Sequence, residues 1–281
     1  MPFFAIPGTY HVKGLSPDGD SIRFKATDPD HWNLLDGPTV RVDSKQRAQL
    51  RLEAIDALET HYRAGGKTWH QPKELANAAT DRVLELVGIK NVVWPASRYR
   101  VTSADDGTPG YILTRTAERY RRPVSFAYAG KCPYQPGSAV NLNVATLRKS
   151  VNFRMLLDGL AYPTFYEGLF YDLRNDLAKA TVQARRRKKG VWKHDKTAAL
   201  TLKGTESVTD DHPIFPKLFR RLMTHYGENG TFDNFKEYLE RRRERTTIVS
   251  LVHFTHFDDQ IKQTATQLKL VRPVEDMVFP G

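Results

Sequence analysis

The stretch that most limits the fold is TYHVKGLSPDGDSIRF, residues 9–24. Its apolar and polar residues alternate on both sides of Pro17-Asp18-Gly19, and Asp-Gly is a favoured tight-turn pair between antiparallel strands. A period of two puts one set of side chains on a core face and the other on solvent. QLRLEAID, residues 49–56, repeats the pattern, with Leu50, Leu52 and Ala54 on one side and Arg51, Glu53 and Ile55 on the other. The period then changes. Pro72 starts a helical pattern with Leu75, Ala79, Val83 and Leu86 on one face, stopped by Gly88. Short strands are expected at NVVWP (91–95) and GYIL (110–113). Helices are expected at about 150–158 and 172–189, closed by Gly159 and Gly190. Strands and helices that do not alternate regularly point to the α+β class.

Other stretches set the organisation. Residues 27–49 and 115–149 read as insertions, the second mixing Arg115, Arg119, Arg121 and Arg122 with Tyr120, Phe126, Tyr128 and Tyr134. Residues 196–212 read as a linker. Residues 213–281 read as a small α+β region: two helices with Leu218-Leu222 and Phe232-Phe235-Leu239 as apolar stripes, then strands at TTIVSLVHF and QLKLV.

The 281 residues carry 43 Lys and Arg against 32 Asp and Glu, a formal net charge of +11. An enzyme for small neutral molecules has no need of that excess; a polyanion partner accounts for it. Cys132 is the single cysteine, so an intrachain disulfide and a cysteine-based zinc site are excluded. The start, MPFFAIPGTYHV, lacks a basic segment followed by a long apolar run, and no stretch reaches membrane-spanning length. The expectation is a soluble, cytoplasmic chain without a membrane partner.

Asp18 and Asp20 stand astride Gly19 and repel each other, so a positive group is expected close by. Asp56 ends the second strand pattern, and Glu59 follows in the loop DALETHY. Carboxylates at strand ends suit a hard cation such as Ca²⁺. A neighbouring Glu suits a general base, and Arg51 suits a bidentate phosphate clamp. Together these are the parts of phosphodiester hydrolysis. An EF-hand is excluded: counting Asp18 as the first position puts Arg23 at the sixth and Pro29 at the twelfth. In HFTHFDD (253–259), the alternating Phe254 and Phe257 favour a strand edge over a metal site built from His253, His256, Asp258 and Asp259. ERRRER (240–245) closes a helix and is read as a solvated end.

DGDSI at 18–22, RLEAIDALET at 51–60, VNFRMLLDGLA at 151–161 and AKATVQARRRKKGVW at 178–192 occur in that order. In this the chain resembles the staphylococcal nuclease (thermonuclease-like) family over residues 10–195. The resemblance implies a five-stranded β-barrel of the oligonucleotide-binding (OB) type with three helices, and a nuclease domain at 1–195. It assigns Asp20, Asp56 and the backbone carbonyl of Ala57 as Ca²⁺ ligands, with Asp18 in the outer shell. It makes Glu59 the base and Arg51 a catalytic phosphate clamp. The chain departs from the family twice: Leu58 replaces a proline, and Gly107 stands where a second catalytic arginine belongs. Arg115, Arg119 and Arg122 are the candidate substitutes and, with nearby tyrosines, candidate nucleic-acid contacts. Arg185, Arg186 and Arg187 are either phosphate contacts or a helix-dipole cap. The expected function is a Ca²⁺-dependent nuclease for DNA, RNA or both. The alternative is a catalytically silent nucleic-acid-binding module. The C-terminal region is left three roles: substrate grip, docking of a protein partner, or stabilisation.

Overall fold

In the computed structural model, which describes residues 2–281, five strands close into a ring. They are β1 (Phe3–His11), β2 (Ser21–Ala26), β3 (Ala48–Leu52), β4 (Thr108–Ala117) and β5 (Pro123–Ala129). The order round the ring is β1-β2-β3-β5-β4 and back to β1. All neighbours are antiparallel except β3 and β5, where Arg51 pairs with Val124 in a parallel ladder. The alternation read from the sequence fills the interior: Ile22 and Phe24, Leu50 and Leu52, Ile112 and Phe126 are all fully buried. A closed, mixed five-stranded barrel in an α+β chain is consistent with an OB-type barrel. The expected helices are present as α1 (Lys73–Leu86), α2 (Val151–Leu157) and α3 (Tyr171–Arg186).

The chain divides into two compact units. One holds residues up to Glu53 together with Thr80–Met155; the other holds Ala54–Ala79 and Leu156–Gly281. In the first unit, part of the expected insertion at 115–149 is barrel wall. Arg115–Ala117 completes β4, and Pro123–Ala129 is β5. Its arginines and prolines hide a strand whose Phe126, Ala127 and Tyr128 are buried. NVVWP forms only one bridge, Val93 to Ser103. Residues 27–49 contain a 3₁₀ turn, Pro29–Leu34, capped by Asp28 and pinned by the buried Trp32. Tyr10 ties β4 to β5: its hydroxyl donates to the carbonyls of Tyr111 (3.1 Å) and Tyr128 (3.0 Å), and burial pushes its phenol far up.

Asn152, on α2, staples the same wall. Its Oδ1 accepts from the amide of Ala127 (3.0 Å), and its Nδ2 donates to the carbonyls of Glu53 (2.8 Å) and Ser125 (3.0 Å). Each of the three backbone groups loses one hydrogen bond in Asn152→Ala, while the Ser125 carbonyl keeps the one from the Glu53 amide (2.9 Å). That substitution is expected to cost about 2–4 kcal/mol, since unsatisfied buried polar groups are expensive. Guanidinium unfolding measures it, and an unchanged midpoint would refute the staple.

The second unit has its own core, in which Tyr162, Trp192, Leu200, Val208, Phe215, Phe219, Phe235 and Phe279 are buried together. Residues 196–212 differ from the expected linker, because Leu200 and Val208 are fully buried and Leu200–Thr201 pairs with Gln267–Leu270. Phe165–Tyr166 joins the C-terminal sheet through Met277–Phe279. TTIVSLVHF is a hairpin and not one strand: Arg245–Ile248 pairs with His253–His256 around a turn in which Val252 has φ +49°. Two helices follow the expected stripes, α4 (Pro216–Asn229) and α5 (Phe235–Arg242). Pro216 opens α4, and Gly230, in the left-handed region, closes it. The hairpin Tyr62–Ala64/Lys67–Trp69 lies against α4 through two glycines. A Cβ on Gly65 would come within 2.4 Å of the Gly227 Cα, so neither position has room for a side chain.

Lys217 is buried in this unit, with Nζ 3.1 Å from Glu244 and 3.9 Å from the centre of the Phe279 ring. Burial, reinforced by the charge of Arg221, lowers its pKa from 10.5 to about 8 despite Glu244. Its proton is held less tightly in the folded chain than in the unfolded one. Stability should therefore rise as pH rises from about 8 to 10.5. In Lys217→Met that part of the rise should vanish. Urea midpoints of both proteins across this pH window test it, and parallel pH profiles would refute it.

Candidate functional site

Of the acids nominated by the sequence, Asp18 and Asp20 belong to the first unit, and Asp56 and Glu59 to the second. In the first unit, DGDS forms a tight turn. The amide of Asp18 donates to the carbonyl of Ser21 (3.0 Å), and the carboxylate of Asp18 accepts from the Gly19 amide (2.8 Å). Asp18 therefore braces its own turn. Asp20 lies beside Arg51, whose Nη1 donates to Oδ2 at 3.4 Å. The ladder explains the meeting, since Ser21 pairs with Arg51 and the amide of Leu52 donates to the Asp20 carbonyl (2.8 Å).

The second cluster is tighter. Asp56 pairs with Tyr162 in a two-residue ladder and is fully buried. Ala57 and Leu58 follow it into the interior, and Leu58 joins the buried cluster of Phe215 and Phe219. That anchoring does for the loop what a proline would do by stiffening it. Gln71, fully buried, holds Glu59 by the backbone: the Glu59 amide donates to its Oε1 (3.2 Å), and its own amide donates to the Glu59 carbonyl (2.8 Å). Its Nε2 reaches on to the carbonyl of Ile214 (2.7 Å), just before α4.

Arg220, on α4, enters this cluster. Its Nη1 donates to Asp56 Oδ1 (3.0 Å) and to Glu59 Oε1, and its Nη2 donates to Asp56 Oδ2 (2.7 Å). Burial opposes its charge, but Asp56 and Glu59 outweigh burial and hold the guanidinium well above its ordinary pKa. The helix is held in place by the Gly65–Gly227 approach and by Tyr62, whose hydroxyl meets Thr224 Oγ1 at 2.7 Å. Sequence reading missed Arg220. The available signal was a cation set among Leu218, Phe219, Leu222 and Met223, all fully buried, where a charge requires a partner.

Arg115 stacks 5.1 Å over Phe3, and Arg119 lies 4.8 Å over Tyr120. Arg122 pairs with Glu118 (3.0 Å). Arg185 makes a bidentate bond to Glu275, 2.6 Å at each nitrogen, and covers the Trp192 ring, so its charge is met within the unit. Arg186 and Arg187 are exposed. Gly107 has φ +79°, a conformation that disfavours any side chain. In the C-terminal hairpin, Asp259 accepts from Thr255 and the His256 amide, and Phe257 is buried, which suits the strand-edge reading.

Both Asp56 oxygens accept from Arg220, and among the described residues no three His, Cys, Asp or Glu side chains gather as a metal site. No family model matches the chain, and none of the curated proteins matches it. Among the described residues no helix is long and apolar enough to cross a membrane.

Arg220→Met should leave Asp56 buried without its cation, at a cost of about 3–5 kcal/mol. Adding Asp56→Leu should recover most of that loss, because the orphaned charge goes with it. Urea unfolding of the single and double variants checks this. An Arg220→Met midpoint equal to the parent's would show that the pair contributes nothing.

Proposed function

We propose that this protein is a nuclease of the staphylococcal nuclease type that hydrolyses phosphodiester bonds of DNA, RNA or both. The observation that carries the reading is the seating of Arg220. A guanidinium has five N–H donors. Three are spent on Asp56 and Glu59, which leaves one on Nη2 and one on Nε. A quarter of the side chain is exposed (25%), and the two carboxylates fix the guanidinium in orientation. The net charge of +11 and the OB-type barrel support a polynucleotide as the ligand.

In this reading Glu59 takes a proton from water as the water oxygen attacks phosphorus. The P–O bond to the leaving sugar oxygen breaks, and that oxygen takes a proton from solvent. Arg220 meets the extra negative charge on the non-bridging oxygens, the part the sequence lacks at Gly107. In the first unit, Arg51, beside Asp20, is a candidate phosphate-binding guanidinium of its own. A divalent cation would first have to displace Arg220 from Asp56, so no step is assigned to Ca²⁺.

The second reading is a catalytically silent nucleic-acid-binding module. It is favoured by the same ion pair, since carboxylates held by a guanidinium are poorer bases. Cleavage of labelled single- and double-stranded DNA and RNA, with Ca²⁺ and with a chelator, separates the two. The nuclease reading expects cleavage that falls by about 10²–10⁴ in Glu59→Gln, the general-base range. Gln keeps an acceptor for Arg220, so the fold should hold. Binding without cleavage, or equal cleavage by parent and Glu59→Gln, would overturn it.

A further inference from the structure

The first unit carries a cavity of about 380 Å³ that the cluster at Asp20 does not include. His11, Arg23, Gln49, Arg100 and the loop Gly14–Pro17 line it. Its walls are fixed. The Gly14 amide donates to the carbonyl of Val101 (2.8 Å), the Val101 amide donates to that of Leu15 (2.9 Å), and Ser16 Oγ donates to the carbonyl of Tyr99. Gln49 Nε2 donates to Ser21 Oγ (2.8 Å).

The positive charge here is in excess. Arg23 and Arg100 have no ion pair among the described residues, and Arg23 Nη1 only donates to the Arg47 carbonyl (3.3 Å). The nearby acids are committed. Asp43 accepts from Arg47 Nε and Nη2, both at 2.9 Å, and Asp106 accepts from His11 Nδ1 (2.9 Å) and the Lys13 amide (3.1 Å). Burial and the like charges of Arg47 and Arg41 push the pKa of Arg23 down, against the pull of Asp43. An anion would relieve that crowding.

Strand register extends the site. Arg23 pairs with Gln49 and Ser21 with Arg51, so Arg23 and Arg51 share the outward face of β2 and β3 while Ile22 and Leu50 point inward. The two positions are diagonal neighbours, two residues along and one strand across, about 8 Å apart at the backbone. Beside Arg100, whose guanidinium lies 5.3 Å over its ring, Tyr99 is 55% exposed and presents an aromatic face.

We propose that this cavity is a phosphate subsite for a single polynucleotide strand: Arg23 and Arg100 hold a backbone phosphate, and Tyr99 stacks on an adjacent base. The subsite rests on the nucleic-acid reading above, but not on catalysis. Fluorescence anisotropy with labelled (dT)₁₀ built with phosphorothioate linkages, which keep the backbone charge and resist cleavage, tests it. Arg23→Gln and Arg100→Gln should each weaken binding by about tenfold and lower the slope of log affinity against log salt by about one. Tyr99→Ala should weaken binding by about tenfold without changing the slope, since stacking involves no counterion. Arg241→Gln, on the exposed end of α5, should change neither. Unaltered melting curves establish that the variants are folded.

If Arg23→Gln and Arg100→Gln bind as the parent does, with the same slope, the subsite is wrong whatever the cleavage result. Binding without cleavage overturns the nuclease and leaves the subsite standing. A parent that binds no strand overturns both. Inorganic phosphate, titrated by calorimetry, separates a free anion from a strand: phosphate bound here more tightly than (dT)₁₀ overturns the polynucleotide assignment.

Discussion

A carboxylate taken fully out of water must be met by positive charge, and in the second unit Asp56 is met by Arg220. Burying either group alone would cost several kcal/mol; burying them together, with three hydrogen bonds including the one to Glu59, makes the arrangement tolerable. Much of the surrounding unit serves that meeting. Gly65 and Gly227 allow the hairpin after Glu59 to lie directly on α4, and Gln71 ties the Glu59 backbone to the residue that precedes the helix. Leu58 anchors the intervening loop in the core. The C-terminal region thus supplies a charged partner to the candidate catalytic residues, which argues against a simple appendage.

The first unit solves a different electrostatic problem. Its barrel closes by backbone pairing and by buried polar ties from Tyr10 and Asn152 to carbonyls and amides of the wall. The outer face of β2 then carries Arg23, whose acidic neighbour Asp43 is engaged by Arg47. Positive charge left over on a rigid β-surface favours an extended polyanion over a compact ligand, because successive outward residues repeat at a regular spacing. The overall +11 charge gains meaning from that placement.

The barrel strands β1, β2 and β3 were legible because alternation survives wherever one face is core and the other water. β5 was not, since Arg121, Arg122 and Pro123 lead into it and its Phe126, Ala127 and Tyr128 are buried in succession, which breaks the period of two. The region 196–212 looked like a linker by composition, yet Leu200 and Val208 fill a core assembled from distant parts of the chain. In the candidate site, Asp20, Arg51, Asp56 and Glu59 were found as local motifs. Arg115, Arg119 and Arg122, nominated by proximity in sequence, stack on or pair with residues of the first unit.

By itself the sequence determined the periodicities, the Asp-Gly turn, the helix stops at glycine, the lack of an intrachain disulfide and the acids at the strand ends. Each of these rests on residues a few positions apart, where chain geometry alone sets which side chains are neighbours. The tertiary structure decided which cation answers Asp56 and Glu59. Arg220 lies 164 and 161 residues away from them in the chain. No local period relates positions so far apart; only the packing of α4 against the segment after Asp56, permitted by two facing glycines, brings the guanidinium to the carboxylates.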